Sequence, residues 1–124
     1  MFPSYAELHC VTNFTFLRSA SHPEEMVARA QQLGYAALAI TDDCSVAGTV
    51  RAHLQAKQCG LKLIVGAEFR LSAQSKVVLL AQNRAGYGNL SELITRARRK
   101  AKKGDYCVTP ADFESGLQDC LALL

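Results

Sequence analysis

The sequence has no tryptophan, only three prolines and eight glycines in 124 residues. So little proline and glycine excludes a low-complexity or collagen-like chain. No apolar run approaches the roughly 18 residues that a membrane span needs. The longest, around Tyr35–Ile40 and Val77–Ala81, are strand-sized. The opening Met1-Phe2-Pro3-Ser4-Tyr5 has no basic residue followed by an apolar stretch, so no secretory signal is read there. A reducing, cytoplasmic setting is therefore expected. The cysteines are odd in number and scattered (Cys10, Cys44, Cys59, Cys107, Cys120), with no pair at CxxC spacing. That excludes a zinc ribbon or a redox motif and leaves thiols acting as small buried or half-buried hydrophobes. No GxGxxG follows a strand, no phosphate loop carries Lys-Ser/Thr, and no serine stands in a GxSxG context.

What is present is an ordinary globular composition, with 49% hydrophobic and 20% charged residues, enough for one domain and too little for two. The formal net charge of +3 is small, but it is unevenly placed. Residues 84–103 hold seven basic side chains against Glu92 alone. Six of them, Arg96, Arg98, Arg99, Lys100, Lys102 and Lys103, fall within eight positions. Such a cluster reads as a solvated helix end, favourable beside the negative pole of the helix, or as a contact for DNA or an acidic partner. No aromatic residue interleaves with the charges, so base stacking is not indicated.

Hydrophobic spacing then sets the element order. Ala6–Val11 reads as a strand with Leu8 and Val11 inward. Thr12–Ala20 is a loop that Phe14, Phe16 and Leu17 should pack down. Ser21 and Glu24 form a capping box for a helix that Gly34 stops. Ala36–Thr41 is a short, wholly apolar strand, buried on both faces. Ser45 caps a helix over Val46–Gln58, ended by Gly60. Leu61–Phe69 and Lys76–Ala81 are further strands. Gly86-Tyr87-Gly88 is a turn, and Tyr87–Lys100 a helix with Leu90, Leu93, Ile94, Ala97 and Ala101 along one stripe. Pro110 opens another helix, and Cys120–Leu124 is a last apolar strand. Alternation of this kind predicts a parallel sheet with crossover helices, either doubly wound or part of a β/α barrel.

In both architectures chemistry gathers at the C-terminal ends of the strands. There the sequence places His9 and Cys10, then Asp42 and Asp43, then Glu68. An imidazole with three carboxylates can hold a divalent cation and activate water for phosphoester hydrolysis. The same residues can equally cap helices and close loops. His22 and His53 read as surface residues.

Longer tracts are more specific. Tyr5-Ala6-Glu7-Leu8-His9-Cys10 with Asn13-Phe14-Thr15-Phe16-Leu17-Arg18 resembles the opening of bacterial C-family DNA polymerases. Leu33–Asp42, Gly60–Phe69 and Leu79–Arg84 followed by Gly86–Leu90 are similar to that family's next motifs, in order and at its spacing. The wording of the first tract, with Arg18, looks most like the error-prone branch, the accessory polymerases of damage-induced mutagenesis. The resemblance implies a PHP (polymerase and histidinol phosphatase) domain, a distorted β/α barrel of about seven strands. About five of these would lie here, making residues 1–124 the N-terminal part of the domain, truncated at its C-terminal end.

Carried over by position, the resemblance implies a degenerate metal site. The His-x-His of metal-binding members becomes His9 and Val11. An Asp of the following loop falls on Arg18. Thr-Asp-His becomes Thr41-Asp42-Asp43, the ligand Glu matches Glu68, and a further His falls near Lys76. His9, Asp42, Asp43 and Glu68 remain as candidate ligands. No catalytic residue and no cofactor are expected, with a single weakly held manganese or zinc ion as the alternative. An ion pair from Arg18 into the carboxylates would take over the cation's electrostatic role. The polymerase active site would lie outside the chain. The functional expectation is a structural or interaction module of an error-prone DNA polymerase, acting in replication and repair of damaged DNA. A metal-dependent phosphoesterase of the PHP superfamily is the alternative. Expected partners are the remainder of the polymerase, DNA through the basic helix, and a second copy through the apolar last strand; no membrane is expected.

Overall fold

The computed structural model describes residues 4–114 and 117–123. Its elements run β1 (Ala6–Cys10), α1 (Pro23–Gln32), β2 (Ala37–Asp43), α2 (Thr49–Cys59), β3 (Lys62–Arg70), β4 (Lys76–Ala81), α3 (Arg84–Arg99), α4 (Ala111–Glu114) and β5 (Cys120–Leu123). The five strands form one curled sheet in the order β1-β2-β3-β4-β5.

The two βα crossovers behave as the alternating pattern predicts: β1, β2 and β3 are parallel. The fourth and fifth strands do not. β4 runs antiparallel to β3, and β5 antiparallel to β4. The reason lies in the connection. Only Leu71–Ser75 separates β3 from β4, and five residues can close a hairpin but cannot carry a crossover. The Leu71 N–H donates to the Ser75 carbonyl at 2.9 Å, closing that hairpin. The expectation of an all-parallel sheet is corrected accordingly. The end of β4 at Gln82-Asn83 thus lies away from the C-terminal ends of β1–β3.

The helices lie on one face. Val27 and Ala30 of α1, Ala52 and Ala56 of α2, and Leu38 and Ile40 of β2 form one buried cluster with Leu61. Leu90, Leu93 and Ala97 of α3 pack on Ala67 and Phe69 of β3 and on Val77 and Leu79 of β4. The alternate residues Ala39, Val78 and Leu80 meet on the opposite, inner face with Ile64 beside them. Strand period two thus divides each strand between helix side and inner side. Gly66 lies within this division because a Cβ there would stand 2.5 Å from the Leu79 carbonyl oxygen.

Several local expectations shift. The α1 cap is His22, whose N–H donates to Glu25 Oε1 at 3.3 Å, with Pro23 as the first helical residue; the box sits one residue later than Ser21/Glu24. α2 starts at Thr49, not Val46, because the Ser45 hydroxyl accepts from Ala47 N–H in a turn instead. α3 takes in Gly86-Tyr87-Gly88, because the Asn83 side chain caps it by accepting from Gly86 N–H at 2.9 Å. α4 begins after Pro110, at Ala111. Phe16 and Leu17 do not pack down: they are 83% and 88% exposed. Cys107 is exposed, unlike the other four thiols. The final position of the expected last strand, Leu124, lies outside the described residues. No helix among the described residues is long and apolar enough to cross a membrane.

Candidate functional site

The C-terminal ends of β1, β2 and β3 bring His9, Asp43 and Glu68 to the inner face. Asp43 pairs in register with Glu68 across β2 and β3, and neighbouring parallel strands point paired side chains the same way. His9 reaches them through an irregularity in β1. Glu7 pairs with Leu38, but Cys10 pairs with Ile40, so Leu8 and His9 together face Ala39. A bulge of this kind re-aims a side chain, and His9 Nε2 lies 2.6 Å from Glu68 Oε2.

Glu68 is 1% exposed, and its second oxygen accepts from Arg18 Nη1. Arg18 Nη1 also lies 4.0 Å from Asp43 Oδ2. Burial pushes the Glu68 carboxyl up, but the hydrogen bonds from Arg18 and His9 more than offset it, holding the group below the usual carboxylate range. The hydrogen bond to Glu68 likewise raises the Arg18 guanidinium. Asp43 Oδ1 accepts from the Tyr106 hydroxyl at 2.6 Å, and that hydroxyl accepts from Arg70 N–H at 2.8 Å. Burial, and then the bond to Asp43, push the Tyr106 phenol well above its ordinary value.

Asp42 does not join this cluster. It is the strand neighbour of Asp43 and therefore points to the helix side. There it is 1% exposed and accepts from Thr12 N–H at 2.6 Å, Thr12 Oγ1 at 2.8 Å and Thr15 Oγ1 at 2.7 Å. Its role is to fasten the loop after β1 beneath Gly48, at the start of α2. Thr12, Thr15 and Tyr106 belong to the site's framework and are absent from the sequence expectation. Two threonines following a strand that ends in His-Cys are a usable signal for the loop; nothing local marks Tyr106.

The basic cluster divides as well. Arg98 points inward: Nη2 donates to the Cys44 and Asp43 carbonyls at 3.1 and 3.3 Å, and Nη1 to the Asp105 carbonyl at 3.2 Å. Its guanidinium lies 5.3 Å from the centre of the Tyr106 ring. Lys100 Nζ donates to Asp112 Oδ1 at 2.7 Å, and this bond holds the Asp112 carboxyl below its ordinary value. Arg96, Arg99, Lys102 and Lys103 remain exposed on the surface.

Among the described residues, no group of three or more His, Cys, Asp or Glu side chains is arranged to hold a metal ion. The donor set does not fit one. Both Asp42 oxygens serve the loop on the other face, and the inner carboxylates already carry a guanidinium between them. Cys10, beside His9, is no substitute ligand: burial pushes its thiol up to about 11, and its sulfur faces Met26 Sδ at 3.7 Å.

A family described as the PHP domain matches residues 7–121. The chain is 61% identical over 126 residues to an error-prone DNA polymerase of Dechloromonas aromatica and 56% identical over 136 residues to one of Bordetella parapertussis. These alignments cover 98% of the chain but only 12% and 13% of the two polymerases, so the chain spans about an eighth of their length. Among solved structures, a protein from Bifidobacterium adolescentis described as a metal-dependent phosphoesterase superposes with a TM-score of 0.63 at 22% identity, over 77% of this chain and 34% of that one. An amidohydrolase from Chromobacterium violaceum, solved with bound sulfate and no metal, gives 0.63 at 24% identity with the same coverage. At such identities these two structures bear on the fold alone.

Proposed function

Because the chain belongs to the PHP domain family, we propose that it is the N-terminal PHP portion of an error-prone DNA polymerase and serves there as a structural module. Its principal partner on this reading is the remainder of the polymerase, in the cytoplasm, during replication and repair of damaged DNA. One observation carries the structural role. Each carboxylate that could serve chemistry is already engaged by protein donors: Glu68 by His9 and Arg18, Asp43 by Tyr106, and Asp42 by Thr12 and Thr15. Carboxylates engaged in this way tie segments to one another, and the three do not converge on one reacting atom, because Asp42 faces away from Asp43 and Glu68. The four outward cations, Arg96, Arg99, Lys102 and Lys103, add a surface suited to the DNA backbone.

The test has two arms. Grafted in place of the matching segment of the Dechloromonas polymerase, this chain should support primer extension. Glu68→Ala in that chimera should lower its melting temperature and soluble yield while leaving extension per folded molecule unchanged. The isolated chain, given manganese and a generic phosphomonoester, should release phosphate at the same background rate with and without Glu68→Ala. Hydrolysis that depends on Glu68 would instead establish the phosphoesterase reading.

A further inference from the structure

The buried carboxylate of Glu68 needs a positive partner, because an ionised carboxylate taken out of water without one is strongly disfavoured. The Bifidobacterium adolescentis protein that shares this fold is described as metal-dependent. Here the charge comes from within the chain. Arg18 extends from the loop after β1, and its Nη1 donates to Glu68 Oε1 and lies 4.0 Å from Asp43 Oδ2. His9 holds the other Glu68 oxygen at 2.6 Å. We propose that the Arg18 guanidinium is the resident cation of this cluster, joining Glu68 and Asp43 as a divalent ion would, so that a metal ion enters only when Arg18 is removed.

The loop is built to deliver that side chain. Arg18 N–H donates to the Thr15 carbonyl at 3.2 Å, and Thr15 Oγ1 donates to Asp42 at 2.7 Å while accepting from Asp43 N–H at 3.0 Å. The turn that carries Arg18 is therefore pinned to the same strand end that carries Asp43. Leu17, immediately before Arg18, is held at φ 69°, a conformation uncommon for a residue with a Cβ, and its side chain stands in solvent. The turn keeps this unfavourable backbone and an exposed leucine, and the group it directs inward is the guanidinium. Arginine keeps its charge at every pH the fold survives, and its planar fork can address two carboxylates at once. With a fixed positive charge in place, a second cation would meet like-charge repulsion.

The inference stands on these side chains and not on the polymerase parentage. It is tested by thermal unfolding and by titration calorimetry with MnCl₂ on the full 124-residue chain. Wild type should melt at the same temperature in EDTA and in millimolar Mn²⁺, and show no binding heat. Arg18→Gln should melt several degrees lower in EDTA, because the buried Glu68 carboxylate loses a partner that is itself half exposed, and regain part of the loss in Mn²⁺. Arg18→Gln/Glu68→Gln should melt above Arg18→Gln alone, because no unpaired carboxylate remains. Should Arg18→Gln not fold, Arg18→Lys provides the second variant: it keeps the charge, and should melt below wild type and ignore Mn²⁺. Stoichiometric Mn²⁺ binding by wild type would overturn the inference, as would an Arg18→Gln protein as stable as wild type or indifferent to Mn²⁺.

Discussion

Asp42 and Asp43 are adjacent in the chain and work on opposite faces of β2. The Asp42 carboxylate binds Thr12 and Thr15 on the helix side, while Asp43 meets Tyr106 and Arg18 on the inner side. The pleat of the strand imposes this split, and it makes the two residues unequal in their contribution to stability.

Asp42→Ala should destabilise the fold by about 3 kcal/mol, because it leaves the buried Thr12 N–H and two buried hydroxyls without an acceptor. Asp43→Asn, which keeps an oxygen for Tyr106, should cost less than about 1 kcal/mol. Urea unfolding at pH 7 measures both. Equal losses would show that the two carboxylates are not divided as described.

Stability should depend on pH through Glu68. Its folded value lies below its unfolded one, so the unfolded chain binds the proton more readily as pH falls. The contribution is complete above the ordinary carboxylate value and fades as pH drops through the lowered folded value. Urea midpoints taken from pH 7 down to pH 3 should fall less steeply in Glu68→Gln than in wild type. Parallel slopes would rule out Glu68 as a source of the acid sensitivity.

Contact with DNA should run through four cations rather than six. Changing Arg96, Arg99, Lys102 and Lys103 to Gln should flatten the dependence of duplex binding on salt, since each lost phosphate contact removes close to one unit of slope. Arg98→Gln should act differently, lowering the melting temperature, because it frees the carbonyls of Asp43, Cys44 and Asp105. Fluorescence anisotropy across a salt series, read beside thermal melts, separates the two effects.

Self-association is expected through β5, whose one sheet partner among the described residues is β4. Leu121 is 52% exposed and lines an open groove on the inner face with Leu8, Ile64 and Leu80. An edge with apolar side chains beside it favours pairing with a second copy. Light scattering should rise with concentration in wild type and less so in Leu121→Lys. A monomer at every concentration would count against this edge as an interface.

Much of the fold follows from short-range chemistry legible in the sequence. Gly34 and Gly60 take positive φ where the helical pattern stops. The apolar run of β2 is buried along its length, and the stripe Leu90, Leu93 and Ala97 meets the sheet. Arg18, met as a departure from a ligand pattern, does pair with Glu68. Apart from the Arg18–Glu68 pair, which spans fifty residues and was legible only through the resemblance, these features depend on periodicity, capping and like-with-like burial, which act over a few residues. The reversal of β4 was legible too, in the five residues that connect it to β3, although the alternation of elements pointed the other way.

Other features required the assembled chain. The bulge that turns His9 inward depends on how β1 registers against β2, and no residue in Leu8-His9-Cys10 specifies that. The separation of Asp42 from Asp43 depends on which face the helices cover. Arg98 is drawn from the basic cluster because α3 delivers its last turn beside the carbonyls left open where β2 ends, at Cys44 with φ 46°. A basic side chain goes to solvent or to a buried acceptor according to what lies within its reach, and for Arg98 that acceptor is more than fifty residues away in the chain.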